Sequence, residues 1–368
     1  MPAQDPPWLD PPRSSAIMAW SLGKPRLKKL AQRLVAIAAA FTCLLPFSTS
    51  SYADTLQTVR DRGYLICGAT NPLAGFALQD ANGVWVGFDV DLCRAIAAAV
   101  FGDSEKFEFR SLRGEARFAS LQTKTVDVLT RNGPWTERRD SQYGASYVGT
   151  AFFDGQAFLV PQSLGVVSAY ELDDITICVL QDSEELERLQ AFFFSNQANY
   201  REVVYEDVAD LNLAYQAGYC QGVSASGRQL QAIRRGLADP AAHRILPERI
   251  SKELLGPVVL DGDRNWFNIV RWTLYTLINA EELGITSLNT ESLLATRTPA
   301  VRRFLGVEGD FGKPLGLDQQ FMRDIVRAVG NYGELYDRHF SAQTGAALLR
   351  GQNGLWSNGG QLYAPPVR

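Results

Sequence analysis

From residue 64 onward, short apolar runs bounded by turn residues alternate with longer segments of helical period, the pattern of strand–helix–strand units. Residues 64–69 (YLICGA) predict a buried strand, and Asn82-Gly83 between two short apolar runs predicts a small hairpin. Residues 88–101 (FDVDLCRAIAAAVF) predict a helix with Asp89 and Asp91 in its first turn, where the helix dipole favours them. A strand at 107–112, a helix at 115–123 and a strand at 126–131 complete this stretch. The same order recurs as strand 175–180, helix 183–194, strand 203–205, helix 208–217 and strand 222–224. Each stretch predicts one α/β lobe with parallel strands and right-handed crossovers.

Two extended segments, 156–160 and 257–260, are expected to join these lobes as a two-strand hinge. Helices are expected at 266–282, 298–305 and 318–337. The resulting division is a leader at 1–53, the first part of lobe one at 54–161, lobe two at 162–252, and a return to lobe one with a helical extension at 253–368. A ligand would sit between the lobes at the C-terminal ends of the strands.

The N-terminus bears on where the protein works. Lys24, Arg26, Lys28, Lys29 and Arg33 form a basic region ahead of an apolar stretch at 34–47, short for a bilayer span of ~30 Å. Ser51-Tyr52-Ala53 then predicts a signal peptide cleaved after Ala53, with a retained membrane anchor as the other reading. Met18 as well as Met1 could open the translated chain. Thirty-six basic and forty acidic residues give a net charge of −4, so nothing in the overall charge seeks nucleic acid or anionic lipid. His243 and His339 are the only histidines, which argues against a histidine-rich metal site or a histidine-relayed nucleophile; no metal or cofactor is expected.

Cys67, Cys93, Cys178 and Cys220 remain in the exported chain, an even number without a C-x-x-C pair. Four cysteines allow three connectivities, and buried free thiols are the alternative. Cys67 on a strand with Cys93 on the helix expected over it, and Cys178 and Cys220 at the ends of neighbouring strands, favour Cys67–Cys93 and Cys178–Cys220.

GFDVDL at 87–92, Arg117-Phe118, VDVL at 126–129 and TERR at 136–139 resemble the polar amino-acid-binding proteins of ABC importers. TRNGPW at 130–135, AEELGIT at 280–286, LGVEGDFGKPLGLD at 305–318, VGNYGELYDR at 329–338 and the terminal APPVR resemble their general L-amino-acid-binding subgroup. The likeness runs from Thr55 to Arg368. It implies a type II periplasmic-binding-protein fold and a monomeric receptor. The receptor would take an amino acid or related small carboxylate and hand it to a membrane permease and ATPase.

The resemblance also implies ligand contacts. Arg139 falls at the carboxylate-clamping position, where a planar guanidinium donates two parallel hydrogen bonds. Asn132 falls where relatives offer a polar group, while Trp135 and Phe76 are candidates for an apolar wall. Three departures stand out. Pro134 replaces a Ser or Thr and supplies neither hydroxyl nor N–H. In lobe two a Gly-Thr-Thr-like turn becomes Gln181-Asp182-Ser183-Glu184, where Ser183 keeps one hydroxyl and could be a helix N-cap. Ser226 stands where relatives place the aspartate that pairs with the ligand's α-ammonium. Either Asp182 or Glu184 supplies that charge, or the ligand lacks an ammonium. Two other classes are weighed against transport: a dehydratase on the same fold, needing an acid in the cleft, and a ligand sensor or interaction subunit that no longer serves high-affinity transport.

Overall fold

The computed structural model describes residues 54–69, 73–112, 116–131, 133–181, 183–341 and 348–368. The leader and its cleavage after Ala53 lie outside the described residues. Among the described residues the first helix is α1 (Thr55–Arg62), capped by Asp54, which accepts from the Gln57 amide at 2.9 Å. Then follow β1 (Leu65–Ala69), the hairpin β2 (Leu78–Gln79) and β3 (Trp85–Val86), α2 (Phe88–Phe101), β4 (Phe107–Ser111), α3 (Ala116–Gln122), β5 (Val128–Arg131), α4 (Glu137–Gln142) and β6 (Ala145–Tyr147). After β7 (Phe152–Asp154) the chain builds lobe two: β8 (Gln156–Pro161), β9 (Ile175–Leu180), α5 (Ser183–Ser195), β10 (Tyr200–Tyr205), α6 (Val208–Gln216), β11 (Gly222–Ser226), α7 (Gly227–Arg235) and β12 (His243–Ile245). It returns through β13 (Glu253–Leu255) and β14 (Val258–Leu260) to α8 (Arg264–Glu282), α9 (Pro299–Phe304), α10 (Phe321–Val329) and α11 (Tyr332–Phe340).

Each lobe holds a five-stranded sheet, ordered β4-β1-β5-β14-β6 in lobe one and β10-β9-β11-β8-β12 in lobe two. The β-α-β strands of each run parallel, and the strands arriving from the other lobe pair antiparallel. Lobe one's largest core packs the apolar α2 against α8 and α10, with Trp266, Phe304 and Phe321 buried. Lobe two buries one layer on each sheet face, around Leu211, Leu230 and Ile233 on one side and Phe158, Leu189 and Phe193 on the other.

Disulfides join Cys67 to Cys93, tying β1 to α2, and Cys178 to Cys220 in lobe two. Cys178 lies inside β9 and Cys220 two residues ahead of β11, so neither ends its strand.

Two expectations need correction. Residues 156–160 belong to the second sheet as β8, and 258–260 to the first as β14. The crossing is instead the ribbon of β7 and β13, paired antiparallel with Asp154 opposite Glu253, so the first lobe boundary falls before residue 156 rather than at 161. The helix expected over 318–337 is two helices. Gly330 takes a positive φ of 85°, and Asn331 starts α11 with a capping box shared with Glu334.

Candidate functional site

The C-terminal ends of β1 and β5 in lobe one, and of β9 and β11 in lobe two, carry the residues singled out above. Asn132 and Asp182 lie outside the described residues. Ser183 is the first residue of α5 rather than the residue before it, and its side chain is likewise outside.

Arg139 sits in α4, whose N-cap Thr136 accepts from the Arg139 amide at 3.3 Å. Its Nη1 donates to the Pro134 carbonyl at 2.9 Å. Pro134, which has no hydrogen to offer a ligand, therefore orients the guanidinium, while Nε and Nη2 carry no bond to the described residues. The neighbouring Arg138 points outward and donates to Gln142 at 3.1 Å.

Trp135 stacks on the buried Tyr147, with ring centroids 5.2 Å apart, and its amide donates to Leu254 of β13 at 2.8 Å. The Tyr147 hydroxyl donates to the Gly133 carbonyl at 3.0 Å. Residues 133–135 are thus held from both sides, which is the preorganisation that sharpens a binding site.

Arg117 and Tyr147, not singled out for the site above, lie beside these candidates. Arg117 stands on α3, nearly buried, with its guanidinium 5.5 Å from the Phe118 ring centre. A Cβ on Gly133 would lie 2.9 Å from Arg139 Nη1 and 3.0 Å from Arg117 Nη2. Two guanidiniums converge on one glycine, and a side chain there would push their ends aside. An arginine directly before Phe118, on a helix that buries Phe118 and Leu121, was the available signal.

Phe76, expected as an apolar wall, is packed among other aromatic rings. It is 1% exposed inside an aromatic cluster with Phe88, Phe152 and Phe340 at centroid distances of 6.3, 5.0 and 4.9 Å. Trp85 packs on Phe109 at 5.1 Å.

In lobe two, Ser226 ends β11 directly opposite Gln156 and is buried. Its hydroxyl makes no capping bond to α7. Gln156 donates to the Glu185 carbonyl at 2.8 Å and to Ser224 Oγ at 3.0 Å, pinning the first turn of α5 to the sheet. Its buried Oε1 has no partner among the described residues. Glu184 pairs with Arg188 at 2.7 Å on the exposed side of α5.

The start of α7 is locked to the hinge ribbon. Arg228 reaches Asp154 at 2.9 Å and Glu253 at 2.7 Å, one acid from each strand. Burial opposes the Arg228 charge, but the two carboxylates outweigh it and raise its pKa above that of an ordinary arginine. One guanidinium thereby bridges an acid from each strand of the hinge.

Residues 65–287 match the bacterial extracellular solute-binding proteins, family 3. The glutamate/glutamine/aspartate/asparagine-binding protein BztA of Rhodobacter capsulatus is 47% identical over 86% of this chain and 94% of its own. The general L-amino acid-binding periplasmic protein AapJ of Rhizobium johnstonii is 41% identical over 91% of this chain and 99% of its own. Among solved structures, an ABC transporter periplasmic binding protein from Brucella ovis with glutathione bound superposes with a TM-score of 0.78 and 41% identity. That match covers 86% of this chain and all of the other. With two lobes on a two-strand ribbon and this likeness along most of its length, the chain belongs to family 3 of the bacterial extracellular solute-binding proteins.

Proposed function

We propose that this protein is the periplasmic receptor of an amino-acid ABC importer, closing its lobes on an amino acid or related small carboxylate and delivering it to a permease–ATPase pair. The observation that carries the ligand class is the convergence of Arg117 and Arg139 on Gly133 at the strand ends of lobe one. A carboxylate placed there meets two cations, one of them with unused donors on its fork. The names of BztA and AapJ support amino acids as that carboxylate's source.

Asn132, Ser183 and Trp135 complete the reading on the lobe-one side and at the start of α5. Ser226 faces the ligand's other end, with Gln156 Oε1 beside it as a neutral acceptor. Two arginines and no carboxylate at 226 favour ligands with a second anionic group, such as acidic amino acids, over neutral ones. Export with cleavage after Ala53 leaves Asp54, the cap of α1, as the first residue. N-terminal sequencing of secreted protein checks it.

A thermal-shift and calorimetric screen of the mature protein against the L-amino acids, glutathione and simple dicarboxylates tests the function. A ligand at 100 times its Kd stabilises by about 2.7 kcal/mol, a clear shift. No stabilisation by any of them would overturn the proposal. The uncharged Ser226 favours the sensor reading if the tightest ligand binds no better than tens of micromolar.

A further inference from the structure

The hydrogen bond from Arg235 to His339 crosses from one lobe to the other. Arg235 is the last residue of α7 in lobe two, and its Nη2 donates to the His339 carbonyl in α11 of lobe one at 2.7 Å. That carbonyl is one of the four a helix leaves unpaired at its C-terminus, where the dipole also favours a cation. The receiving surface is built to fit. Gly75 has a positive φ of 84°, and a Cβ there would lie 3.1 Å from Arg235 Nη1 and 2.8 Å from the Phe340 ring. His339 is itself held in place, its Nε2 2.7 Å from the buried Asp91 carboxylate on α2.

The other end of α7 is fixed at the hinge by Arg228. Arg235 lies seven residues further along, or ~10 Å at the helical rise. An interdomain rotation of roughly 15° about an axis through the ribbon moves a point at that radius by ~2.6 Å, enough to break the bond. We propose that Arg235 is an interlobe strut, formed only while the lobes are together, that sets ligand affinity without touching the ligand. This rests on the reading of the cleft as a closing amino-acid site.

The test compares wild type with Arg235→Ala by calorimetry with L-glutamate and L-glutamine, and by small-angle scattering without ligand. Loss of a charge-assisted bond from the closed state alone should weaken both probes about tenfold. The ratio of their Kd values should stay as in wild type, and the ligand-free radius of gyration should increase. Unchanged affinities, a changed ratio or an unchanged radius would overturn the strut. If neither probe binds the wild type, the amino-acid reading fails, while scattering still decides whether Arg235 holds the lobes together. Should Arg235→Ala not fold, Arg235→Gln, close in volume and uncharged, carries the same expectations and the same refutations.

Discussion

Arg139 owes its orientation to Pro134, the residue whose chemistry looked least useful. A proline carbonyl is as good an acceptor as any other, and here it holds one nitrogen of the fork, so that under the proposed function the rest would meet the ligand. Arg139→Ala should abolish amino-acid binding, by at least ~100-fold, because removing one partner of a desolvated charge pair leaves the other unpaired. The fold should survive, since Thr136 and not the guanidinium caps α4. Calorimetry with matched circular dichroism separates the two effects. Ser226 presents the opposite case, a buried hydroxyl where a carboxylate would complete the cleft. Ser226→Asp should strengthen binding of neutral L-amino acids by on the order of tenfold or more, by pairing an otherwise unpartnered ammonium. Submicromolar binding of several neutral amino acids by the wild type would show that another group already supplies that charge.

Between α10 and α11, three residues decide where one helix stops and the next begins. Asn331 accepts from the Glu334 amide at 2.9 Å, donates its own amide to the Glu334 carboxylate in return, and donates through its side chain to the Ile285 carbonyl at 2.9 Å. Asn331→Ala removes a cap and strands a buried carbonyl, so a loss of about 2–4 kcal/mol is expected in urea unfolding with an unchanged slope. On α2, Asp91 binds Arg94, Arg338 and His339 and so anchors the end of α11. Burial pushes its pKa up, but the hydrogen bond and charge of His339 and the charge of Arg338 outweigh this and hold it below the ordinary 3.8. A depressed folded pKa means stability present above the unfolded value and lost as pH falls through the folded one. Wild type should therefore be more stable than Asp91→Asn at pH 6 by roughly 2 kcal/mol, and urea midpoints at pH 3 and below should show that gap closing.

Across the whole molecule, each lobe carries its own staple and the hinge carries the charges. The disulfides span 26 and 42 residues and stay within their lobes, so they stiffen the lobes without tying them together. By loop entropy they contribute roughly 3.5 and 4 kcal/mol, and paired Cys→Ala variants should lose about that much in reversible unfolding. Ligand affinity should be nearly unchanged, because neither bridge crosses the ribbon. A large affinity change on removing either bridge would mean that a lobe does not hold its binding residues without it.

Residues 88–101 were legible as a helix to the residue, and the parallel strands of both lobes to within three, because periodicity and turn residues act over a few neighbours. The two-lobed α/β architecture followed from the order of those elements, while Arg139 became a candidate only through the family resemblance. What only tertiary structure decided lies in partners far apart in the chain. Residues 156–160 are extended in either role, and their place in the second sheet depends on β11 and β12, tens of residues later. Phe76 is apolar whether it lines a cleft or fills a core, and the ring it packs on, Phe340, stands at the far end of the chain. Gly133 became a candidate only when α3 and α4 brought Arg117 and Arg139 to the same point. Hydrophobic pattern records which residues leave water; it does not record which of them meet.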